Sequence, residues 1–91
     1  MLNEEMLEKL RVSVAKRQIH TTDWVGVQGE FVWIGGRDGN GNVADTAKFS
    51  LDFSIVWVDR MFLDGYSSNF YDGVVSRILE EIGFDGEIIT I

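Results

Sequence analysis

The chain has 91 residues, the length of one small domain, with 45% apolar and 12% aromatic residues to build a core and a formal net charge of −7. It contains no cysteine and a single histidine, His20, which excludes disulfides, thiolate nucleophiles, cysteine-held clusters and any metal site needing two imidazoles. Fifteen acids against eight bases repel phosphate, so direct nucleic-acid binding and docking on acidic membranes are both disfavoured. The charge is also uneven: up to His20 there are three acids and four bases, and beyond it twelve acids and four bases. No apolar run approaches the roughly 20 residues a bilayer span requires, and Glu4, Glu5 and Glu8 stand where a secretory leader would be basic, so synthesis in the cytoplasm is expected.

Leu2, Met6, Leu10 and Val14 recur four apart with Leu7 beside them, which predicts a one-sided helix from about Asn3 to Gln18. Asn3 is a capping residue, the early glutamates suit the positive end of the helix dipole, and Lys16 and Arg17 suit the negative end. From Trp24 to Ile34 the residues are mostly β-branched or aromatic, and Gly26 and Gly29 signal a bulge or a bend into a second strand. Gly35 to Asn42 combine glycine with Asn and Asp, which supply the positive-φ positions of a turn, and predict a hairpin tip. Phe49, Leu51, Phe53, Ile55 and Trp57 then alternate with Lys48, Ser50, Asp52 and Ser54, which predicts one long strand with Trp57 in its core-facing row. Near its end Val56 and Val58 break the polar row and call for a covering partner. Asp59 to Asn69 read as a loop holding the apolar cluster Met61, Phe62 and Leu63. Tyr71, Val74, Val75, Ile78, Leu79 and Ile82 predict a second helix, capped near Ser67 to Asn69 and stopped by Gly83, with Gly73 costing about 1 kcal/mol inside it. A short strand, Glu87 to Ile91, closes the chain. The expected fold is therefore a single α+β domain over residues 1–91: an N-terminal helix, an antiparallel sheet of three to four strands, a second helix and a short C-terminal strand.

Chemistry-bearing residues are sparse. The run Asp38, Asn40, Asn42 places oxygen side chains at every second position, as a calcium loop begins, but Val43 and Phe49 stand where such a loop needs glycine and a bidentate glutamate. An Asn/Gly turn explains the same residues, and no metal or other cofactor is expected. His20, Thr21, Thr22 and Asp23 are consecutive, whereas catalytic partners meet from separate segments. Glu80 and Glu81 are adjacent on a helix and point apart, and Asp59 and Asp64 read as solvated charges, so no enzyme active site or small-molecule substrate is expected. Trp24, Trp33 and Trp57 suggest base stacking, but the acidity of the chain makes core packing the better account. The residues expected at an interface are Val56, Val58, Met61, Phe62, Leu63 and Tyr66, with burial under the first helix as the competing account of Val56, Val58 and the Met61, Phe62 and Leu63 cluster.

The stretch from Ala47 to Gly83 resembles the tail completion, or tail terminator-like, proteins of contractile-tailed phages. The likeness rests on Lys48 to Asp59 as a hydroxyl- and aromatic-rich alternating strand ending in apolar residues and an aspartate, then Gly65, then the amphipathic run Val74 to Ile82. The second helix lacks the proline start and the tryptophan of the family helices. The resemblance implies a non-enzymatic virion structural protein, a homo-oligomeric ring that contacts other phage tail proteins, present in the host cytoplasm at synthesis and in the virion once assembled. A different reading of the same acidity is a small inhibitor, an anti-defence or immunity protein, whose Asp38, Asp45, Asp52, Asp59, Asp64 and Asp72 mimic phosphate on a basic partner.

Overall fold

A computed structural model describes residues 1–16, 24–37, 43–59 and 74–91. In chain order the elements are α1 (Glu4–Lys16), β1 (Trp24–Gln28), β2 (Phe31–Arg37), β3 (Val43–Ser50), β4 (Ile55–Val58), α2 (Val74–Ile82) and β5 (Glu87–Thr90). Helix α1 starts where its cap predicts: the Met6 amide donates to Asn3 Oδ1 at 3.1 Å, and the Asn3 amide donates to the Leu51 carbonyl at 2.9 Å, tying the helix start to the β3–β4 turn. Helix α2 stops at Gly83, whose φ of 73° is left-handed. The Gly83 amide donates to the Glu80 carbonyl and the Phe84 amide to the Leu79 carbonyl, the paired bonds of a Schellman end.

The five strands lie in the order β1-β2-β3-β4-β5. The first four form an antiparallel meander, while β5 pairs parallel to β4. The α+β class and the order of helix, antiparallel strands, second helix and C-terminal strand are as expected; what differs is that β5 joins the same sheet in parallel, which makes it mixed and five-stranded. Two physical causes account for the difference. The chain returns to the sheet after β4 through a stretch that contains α2, and such a crossover delivers a strand in the same direction. The predicted long strand is also cut in two by a tight turn at Leu51–Ser54, so that Phe49 faces Val56 and Lys48 faces Trp57.

That turn is built by short polar side chains. The Phe53 amide donates to the Ser50 carbonyl at 2.9 Å, and Ser50 Oγ accepts from the Ser54 and Ile55 amides at 3.1 and 3.0 Å while donating to Asp52 Oδ1. Asp52 Oδ1 also accepts from the Ser54 amide at 3.0 Å and the Ser54 hydroxyl at 2.7 Å. Residues that read as the polar row of a strand thus replace the ladder with a local network. Between β1 and β2, Gly29 with φ of 63° supplies the positive dihedral of a two-residue hairpin, so the glycine signal there marks a turn.

One core holds the fold together. Leu7, Leu10 and Val14 of α1 and Val75, Ile78, Leu79 and Ile82 of α2 pack on Val32, Ile34, Ala47, Phe49, Val56 and Val58 of the sheet, with Phe53 folded in from the turn. Phe49 is fully buried and stacks 4.8 Å from Phe53 and 5.8 Å from Phe84. Both helices therefore cover the same sheet face.

Candidate functional site

Strand alternation puts the remaining side chains on the opposite face, which among the described residues neither α1 nor α2 covers. Phe31 and Trp33 of β2, Lys48 of β3, Ile55 and Trp57 of β4 and Ile89 of β5 lie there, all half-buried. Phe31 sits at the centre, edge-on to Trp33 at 6.0 Å and to Trp57 at 5.5 Å. The Lys48 ammonium lies over the cluster, 4.4 Å from the Phe31 ring centre, 5.3 Å from Trp33 and 5.4 Å from Trp57. A cation held over ring faces gains about 0.5 to 2 kcal/mol, and its methylene stem extends the apolar surface. Trp33 Nε1 donates to the Gln28 carbonyl at 3.3 Å, which fixes the indole across the first hairpin. This face is chemically suited to contact with a protein surface, where aromatic side chains are enriched.

Two of the expected interface residues, Val56 and Val58, fall elsewhere. Val56 and Val58 are fully buried in the core beneath the helices and cannot contact a partner. The cause is the four-residue turn: it pairs an odd position, Phe49, with an even one, Val56, so core-facing parity switches between β3 and β4. Ile55 and Trp57, expected in the core row, occupy the uncovered face instead. Met61, Phe62, Leu63 and Tyr66 lie outside the described residues, as do the Asp38–Asn42 loop, the His20–Asp23 cluster, Asp64 and the Ser67–Asn69 cap. The contribution of Phe31 and Ile89 was missed. The alternation of Phe31 and Trp33 with Val32 and Ile34 carried the signal for Phe31, once Gly29 is taken as the hairpin turn.

Two further surfaces bear on function. Both outer strands carry large apolar groups into solvent: Val27 on β1 is 44% exposed, and Ile88 on β5 is 46% exposed. Between the helices runs an open groove of about 620 Å³, lined by Glu5, Glu8, Lys9, Val12, Glu80 and Glu81 among others. Lys16 bridges the two helices there by pairing with Glu81 at 3.4 Å, and Lys9 pairs with Glu5 at 3.5 Å. Among the described residues no cluster of three or more His, Cys, Asp or Glu is placed to hold a metal ion, and no helix is long and apolar enough to cross a membrane.

Comparison with protein-family models, with curated proteins and with solved structures found no match.

Proposed function

We propose that the protein is a non-enzymatic structural subunit of the phage tail completion kind, acting through homo-oligomeric assembly and through contact with other tail proteins. The observation that carries this reading is a single sheet with, among the described residues, one aromatic face that α1 and α2 leave uncovered and exposed apolar groups on both of its edges. Covered by neighbours, such a sheet loses its exposed apolar area, and the edges lose their unpaired amides and carbonyls. The protein would be made in the host cytoplasm and reside in the virion. Electron microscopy of the purified protein tests it: closed rings of uniform diameter are expected, and isolated particles of single-chain size at every concentration contradict it.

The groove between the helices favours a second reading. Glu8 and Glu80, beside Glu5 and Glu81 that already pair with Lys9 and Lys16, offer a small inhibitor carboxylates with which to grip a basic partner. In that case binding to a basic nucleic-acid enzyme falls steeply with added salt and is weakened by Glu8→Gln combined with Glu80→Gln.

A further inference from the structure

The two edge strands are matched in four independent respects. First, their free hydrogen-bonding groups alternate alike. The Glu87 amide donates to the Ser54 carbonyl and the Ile91 amide to the Val58 carbonyl, so in this parallel pairing the amides and carbonyls of Ile88 and Thr90 point away from β4. In the two-residue hairpin closed by Gln28 and Phe31, the same alternation leaves those of Val25 and Val27 pointing away from β2. Second, these four residues share one sheet face, the helix-bearing one, because Ile88 lies beside Val56 and Val27 beside Val32. Third, strand directions agree: β1 runs antiparallel to β4 and β5 parallel to it, so β5 of one copy beside β1 of the next continues the sheet antiparallel with the helices on the same side. Fourth, each edge exposes one large aliphatic group, Val27 at 44% and Ile88 at 46%.

We infer that β5 of one copy pairs with β1 of a second copy, head to tail, with Ile88 opposite Val27. This rests on the homo-oligomeric reading above and names its interface. In this register the four residues of β5 lie within the five of β1: Glu87 meets Gln28, Ile89 meets Gly26, which has no side chain to crowd the uncovered face, and Thr90 meets Val25. No like charges face each other, and neither edge carries a proline or an inward charge to block addition of a strand. Because the two patches differ, the contact is heterologous, the type that builds a ring where the rotation between copies closes and an open filament where it does not.

Complementation tests this directly. Val27→Lys spoils the β1 edge and leaves β5 intact; Ile88→Lys does the reverse; both sites are exposed, so both variants should melt close to the parent. Each variant alone is expected to have the mass of one chain, 10.3 kDa for the parent. Mixed in equal amounts they are expected to form a species of twice that mass and nothing larger, because one intact β5 meets one intact β1. Should either lysine variant melt early, the threonine variants at the same positions repeat the test with a strand-compatible side chain. If the parent assembles and Val27→Lys keeps its full mass, the head-to-tail pairing is wrong and self-assembly stands. If the parent itself is a single chain throughout, both fall.

Discussion

Phe53 occupies a left-handed backbone conformation, φ of 60°, while burying its ring against Phe49. A side chain in that region costs about 1 to 2 kcal/mol, and ring burial offsets it. Removing the ring should destabilise the protein by about 3 to 5 kcal/mol in Phe53→Ala. Phe53→Gly, which loses the ring but also the strain, should be about 1 kcal/mol more stable than the alanine variant in urea melts. Beside it, hydrogen bonds from the Ser54 hydroxyl and amide, then the Ser50 hydroxyl, hold the Asp52 carboxyl below the usual carboxylate range. Folding lowers this pKa, so its stabilising contribution is complete above the unfolded value, near pH 4, and is lost as pH falls through the folded value. The melting temperature of Asp52→Asn is therefore expected to fall less than that of the parent as pH is lowered from about 5 to 3. On the uncovered face, Lys48→Ala should cost about 1 kcal/mol and change the tryptophan emission, since the ammonium sits within 5.4 Å of two indole rings.

Elements with their own local signals were legible in the sequence. Helix α1 begins at the Asn3 cap, α2 ends on the Gly83 signal, and β5 follows the Asp85–Gly86 turn, because capping and periodicity act within a few residues. The stretch from Phe49 to Val58 was not, because Ser50, Asp52 and Ser54 fit a polar strand row and a polar turn equally well in one dimension. Only the cross-strand pairing of Phe49 with Val56 decides, and that single turn reversed which of Val56 and Trp57 faces the helices. The consequence is measurable: Val58→Glu places an unpaired charge in a fully buried site and should unfold the domain, at a cost above about 4 kcal/mol, where an interface residue would leave a folded single chain. At the last turn, a β-carbon on Gly86 would run into the Ser54 backbone, its carbonyl carbon 2.7 Å away. Gly86→Ala should therefore push β5 from β4, cost about 1 to 3 kcal/mol, and weaken the bond from the Glu87 amide to the Ser54 carbonyl.

Among the described residues the molecule is lopsided: α1 and α2 protect one face of the sheet, and the other face and both edges keep aromatic and aliphatic groups near solvent. The order of periodic segments carried the α+β class and composition the acidic charge, but the sidedness depends on strand register, which connects residues far apart in sequence. A net charge of −7 opposes the approach of identical copies, so assembly through the sheet should strengthen with moderate salt, the reverse of an acidic inhibitor on a basic partner. Absolute mass by light scattering across a concentration series at moderate salt tests the central claim, that this domain works by assembling with itself. A discrete species several times 10.3 kDa is the predicted result, and a single chain at every concentration would contradict it.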